Sequence, residues 1–136
     1  MLKSRTLTVQ INRPTPEVYA YMVDPANLTS WTVVQDGKPE PSLGELVWSF
    51  GGQRGRVTVY FTPANPFFVL DYRMTMGPHT VMVAHVRLMP NGAGSELVHT
   101  SVQQPGVSDD SFASEGEWMM ADLLVLKNFL EGRRPV

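Results

Sequence analysis

From Thr6 to Ile11 polar and apolar residues alternate, which places Leu7, Val9 and Ile11 on one face of a strand. Asn12-Arg13-Pro14 ends it. Thr15-Pro16-Glu17 then offers a capping hydroxyl, a proline at the first helical position and a carboxylate near the positive helix end, so a short helix is predicted to about Val23. Asp24-Pro25 restarts the chain as a second helical turn through Leu28 that ends near Trp31. The Gly, Lys, Pro and acidic residues from Asp36 to Pro41 read as a solvent loop. Strand-like segments follow at Leu43 to Phe50, Gly55 to Thr62, Phe67 to Met76, Thr80 to Met89 and Ser95 to Gln103, each closed by Gly, Pro or Asn. Short strands spaced this evenly predict an antiparallel meander. The period then lengthens, because Phe112, Met119, Leu123, Leu126 and Leu130 recur as one helix face does. A helix over 109–131 is predicted, with Met119, Leu123, Leu126 and Leu130 toward the sheet. Ser108-Asp109-Asp110 would cap its start, and Gly132-Arg133-Arg134-Pro135 would stop it with positive charge. The class is α+β, and without repeats or low-complexity stretches residues 1–136 read as a single domain.

Composition narrows the function classes. With 136 residues, 43% of them hydrophobic, the chain has the size of one domain with one core. Eleven Lys and Arg against thirteen Asp and Glu leave a net charge of -2, so the field that draws proteins to nucleic acid is missing. The absence of cysteine excludes disulfides, thiolate nucleophiles and Cys-ligated metals. No apolar run approaches the ~20 residues of a membrane span, and the opening residues carry no apolar leader, so a cytoplasmic protein is expected. The P-loop, G-x-G-x-x-G, G-x-S-x-G and H-E-x-x-H patterns are all missing, and no cofactor or metal is expected. Eight Met, three Trp, four Tyr and six Phe are the one compositional hint of function, since thioethers and rings line adaptable apolar pockets as well as cores.

Three stretches resemble the START-like SRPBCC superfamily, the helix-grip fold shared by lipid-transfer domains, polyketide cyclases and birch-pollen-type allergens. Val9-Gln-Ile-Asn-Arg-Pro-Thr-Pro-Glu-Val-Tyr19 is similar to that family's strand leading into a Pro-Glu-Val helix. Asp24-Pro-Ala-Asn-Leu-Thr-Ser-Trp31 resembles its Asp-Pro, Leu, Trp signature. Gly94-Ser-Glu-Leu-Val-His-Thr100, with Leu126-Lys-Asn-Phe-Leu-Glu-Gly132, is similar to the branch of activators of the heat-shock chaperone ATPase. In that branch a helix Trp stands seven residues before the leucine of the Leu-Lys pair. Here Trp118 precedes Leu126 by eight, so Met119 takes the central position. The resemblance implies a curved sheet gripping the last helix around an apolar cavity. Its members range from carriers to cyclases and chaperone cofactors, and fold alone does not choose among them.

Candidate site residues follow from alternation. Met82, Ala84, Val86 and Leu88 form an inward set, which turns His85 and Arg87 outward. The family-like stretch implies inward Leu97, His99 and Ser101. With a hairpin turn at Asn91-Gly92, Val86 should face His99, and His85 and His99 cannot share a metal. His79 sits in a turn. Asp71 and Arg73 alternate with an apolar set and read as an exposed pair, and Glu115 lies on the edge of the helix stripe and reads as solvated or paired. The expected pocket takes Trp48 and Phe50 from one wall, Phe61, Tyr72 and Met74 from the next strands, Val86 and His99 from the far strands, and Met119 from the helix, with Trp31 closing one end. Its predicted occupant is a small hydrophobic or amphipathic molecule. The alternatives are a cyclase or dehydratase in which His99 and Tyr72 move a proton, and an interaction module whose partner is another protein or a second copy.

Overall fold

The computed structural model describes residues 1–132, so the expected Arg133-Arg134-Pro135 stop lies outside the described residues. The elements are β1 (Ser4–Ile11), α1 (Thr15–Met22), a 3-10 turn (Pro25–Ser30), β2 (Gln35–Pro39), β3 (Val47–Gly52), β4 (Gly55–Phe61), β5 (Tyr72–Met76), β6 (His79–Asn91), β7 (Gly94–Val102) and α2 (Asp109–Glu131). Strands β2 to β7 form the antiparallel meander, and β1 adds to β7, giving the order β1-β7-β6-β5-β4-β3-β2. Because β1 and β2 lie at opposite edges, α1 and the 3-10 turn must carry the chain from one edge to the other. α2 then returns over the inner face, nearest β1. Among the described residues no helix is long and apolar enough to cross a membrane.

The register sets the inner face. Val86 pairs with His99 and Leu88 with Leu97, while Leu7 and Val9 lie opposite His99 and Leu97 from the other side. Against these, Leu123, Leu126 and Leu130 of α2 reach 0% exposure, as does Leu97. Side chains of this size contribute ~1.5–3 kcal/mol each when taken from water. Ser108 caps α2 by accepting from the Ser111 N–H at 3.1 Å, and Asp109 and Asp110 add negative charge to the first turn.

Three local expectations are corrected. The solvent loop at Asp36 to Pro41 overlaps β2, an edge strand that pairs with β3 through a register shift between Gln35 and Lys38. Gly, Lys and Pro suit a sheet edge as well as a loop, so composition could not separate the two. Second, β5 begins at Tyr72 rather than Phe67. Phe68 takes a left-handed φ of 58°, and an isolated bridge between Val69 and Arg87, with bonds accepted by the Asp71 side chain, links this lead-in to β6. Third, Thr15 does not cap α1. It is buried inside the first turn, and its hydroxyl lies 3.0 Å from Ser95 Oγ.

An apolar cavity with a buried tyrosine–histidine pair

Between the curved sheet and α2 lies a cavity of ≈ 370 Å³. Ligand pockets commonly run from about 300 to 1,000 Å³, so this one suits a small molecule. Val57, Val59, Phe61, Tyr72, Met74, Val86 and His99 form its floor, and Trp118, Met119 and Leu123 of α2 form its roof. Leu28, Trp31 and Val34 close one end, and Arg54 of the β3–β4 turn stands at the rim. Of the nine residues expected in the pocket, Trp31, Phe61, Tyr72, Met74, Val86, His99 and Met119 line this cavity.

Trp48 and Phe50 do not. They lie on the inner face, opposite Val59 and Val57, but in a filled satellite core with Val34. Phe50 is 0% exposed, and Gly37 of β2 sits so close that a Cβ there would be 2.7 Å from the ring. β2, where a solvent loop was expected, brings Gly37 against the Phe50 ring and closes this end of the sheet.

The polar groups in this apolar space decide its chemistry. Tyr72 Oη and His99 Nε2 are 3.0 Å apart, and the Tyr72 O–H reaches Met82 Sδ at 3.3 Å. Burial lowers the His99 pKa to about 4, with the charge of Arg5 acting in the same direction, so the imidazole is neutral at pH 7. Burial raises the Tyr72 phenol, aided by the negative charges of Asp122 and Glu115. His99 Nδ1 is buried without a hydrogen-bond partner among the described residues. On the helix side, Asp122 and Glu115 both border the cavity. Burial alone lifts Asp122 to about 6. Glu115 is also raised by burial, while the guanidinium charges of Arg5 and Arg54 oppose the shift.

Asp122 and Arg5 are not among the expected site residues, although each carries a signal in the sequence. Asp122 falls three residues after Met119 and four before Leu126, a polar position inside an apolar stripe. Arg5 continues the inward alternation of Leu7, Val9 and Ile11. Its guanidinium lies 4.1 Å over the Phe112 ring, donates to the Phe112 carbonyl, and reaches Ser101 Oγ at 3.3 Å. Outside the cavity, His85 and His79 are exposed. Asp71 pairs with Arg87 and with His85 at 3.2 Å rather than with Arg73, whose guanidinium lies over Tyr60.

Comparison with known proteins separates sequence from shape. No family model and no curated protein matches the sequence. Solved structures match it closely in shape. An uncharacterized protein from Bacillus thuringiensis superposes with a TM-score of 0.78 at 14% identity, covering 94% of this chain and 98% of that one. XoxI from Bacillus cereus gives 0.78 at 11% identity, over 96% of this chain and 97% of that one. DynU16, a protein in the dynemicin biosynthetic locus, gives 0.70 at 14% identity over 97% of this chain. The chain spans 48% of DynU16's length. The fold is a helix-grip. At such identities the likeness extends to the fold alone.

Proposed function

We propose that residues 1–136 form one START-like SRPBCC domain that binds a small hydrophobic or amphipathic molecule between the sheet and α2. One observation carries this reading: a cavity of ≈ 370 Å³ persists between well-packed elements, walled by Phe61, Met74, Val86 and Met119. A neutral environment-sensitive dye such as N-phenyl-1-naphthylamine should bind saturably to the folded protein. Val59→Trp, which fills the floor, should reduce that uptake while circular dichroism stays native. Absence of saturable binding to the wild type ends the carrier reading.

The Tyr72–His99 contact invites the cyclase or dehydratase alternative. Proton transfer is most efficient when the catalytic pKa lies near the working pH. His99 near 4 is too weak a base, and burial makes the Tyr72 phenol a weaker acid than usual, so binding has the better support.

A second reading, docking to a protein, is favoured by the outward side of α2. There Leu124, Val125 and Phe129 are between 42% and 48% exposed. Light scattering across a concentration series, with Val125→Glu as control, tests whether the partner is a second copy.

A further inference from the structure

The two sides of the cavity offer a ligand matching polar groups. On the helix side, Asp122 borders the cavity and has no hydrogen bond or ion pair with any described residue. Glu115, on the same side of α2, differs because Arg5 and Arg54 share its charge. Asp122 is thus the carboxylate without a cation. On the sheet side, His99 lines the same cavity at 2% exposure, and its Nδ1 is unpartnered. Tyr72 Oη stands within hydrogen-bond distance of both Met82 Sδ and His99 Nε2, while Nδ1 has no partner among the described residues. An unpaired carboxylate and an unsatisfied imidazole nitrogen thus face an otherwise apolar space.

We propose that the cavity selects lipophilic molecules bearing a protonated amine, with the ammonium against Asp122 and the apolar body between sheet and helix. This rests on the carrier reading and names its ligand class. An ammonium group supplies N–H donors and the missing positive charge, whereas a fatty carboxylate would bring a third anion beside Asp122 and Glu115. The remaining charged groups do not replace it. Arg54 stands at the rim beside Glu115, Arg5 is held by Phe112 and Ser101 on β1, and Asp71 is satisfied by Arg87 and His85. Tyr72 and His99 are both neutral at pH 7. Amine binding should therefore weaken as the pH falls through about 6, where Asp122 takes up a proton.

Decylamine, decanol and decanoate share one chain and differ in the head group, so competition of each against bound dye isolates the head-group term. At neutral pH decylamine should bind about tenfold tighter than decanol, and decanoate weaker than both. Asp122→Asn should bring the amine-to-alcohol ratio to about one, and Glu115→Gln should lower it less. If Asp122→Asn does not fold, the wild type carries the test, because the ratio should shrink at a pH of about 5. Decanol binding with no amine preference overturns this inference and leaves the carrier reading standing. Failure of all three ligands overturns both.

Discussion

Along one flank of α2, Leu123, Leu126 and Leu130 reach 0% exposure against Val9, Ile11 and Leu97, whereas the adjoining flank holds Glu115, Trp118, Met119 and Asp122 over open space. One helix meets one sheet in both places. The difference lies in distance across the sheet. α2 lies nearest β1, and its leucines share a core with Ala84, Val86 and Leu88 of β6 but leave open space over β5 and β4. One closed core therefore runs from β1 to β6 beneath α2, a second surrounds Phe50, and the vacant volume sits where neither fills the space between sheet and helix. Polar groups differ too: Leu123, Leu126 and Leu130 meet aliphatic partners, whereas Asp122 borders the cavity.

The sharpest way to break that division is to truncate both flanks alike. Leu126→Ala should cost ~2–5 kcal/mol, because it opens a hole in a closed core. Met119→Ala, beside space that is already empty, should cost about 1 kcal/mol and enlarge the volume available to dye. Equal losses in urea unfolding would mean that the two flanks are packed alike.

Next in size is a pH effect with opposite signs on the two walls. The His99 pKa falls from an ordinary 6.5 to about 4 in the fold, so the unfolded chain binds the extra proton first. Its contribution, on the order of 3 kcal/mol, is present above 6.5 and is lost as the pH drops toward 4. Asp122, raised from 3.8 to about 6, works the other way, and its proton uptake stabilises the fold over that interval. His99→Gln should flatten the acid loss, and Asp122→Asn should steepen it. Denaturant midpoints between about pH 7 and pH 4 check both. Tyr72→Phe comes after these at ~1–3 kcal/mol, because it strips His99 Nε2 of its buried partner.

Period and alternation are local, and they predict what local geometry controls. Placing Val86 opposite His99 needed only a turn at Asn91-Gly92 and a two-residue repeat, and the pairing is the one observed. The stripe of Leu123, Leu126 and Leu130 likewise needed only the helical period. What escaped depends on who covers whom. Trp48 and Phe50 have the inward orientation that alternation predicts, but β2 and Val34 fill the space around them. That cover comes from a segment whose composition suits an edge strand and a loop equally. Asp122 and Arg5 are charged, and charged residues are by default solvated, a rule that fails beside a cavity and under a helix.

The smallest effect tests the closed flank at its most crowded point. Gly116 lies inside α2, where glycine costs ~1 kcal/mol relative to alanine. It is buried, and a Cβ there would stand 2.7 Å from Arg5 Nε and 2.8 Å from Arg5 Cδ. Arg5 cannot simply swing aside, since the Phe112 carbonyl, Ser101 Oγ and the Phe112 ring hold its guanidinium. The steric cost of an added methyl, ~1–3 kcal/mol, should therefore outweigh the gain in helix propensity and leave Gly116→Ala about 1 kcal/mol less stable. Removing the obstacle should reverse the sign. In an Arg5→Ala background the same substitution should stabilise by up to about 1 kcal/mol, and the coupling should appear as non-additivity in a double-mutant cycle. Additive losses would show that the helix backbone, rather than Arg5, sets the tolerance at Gly116.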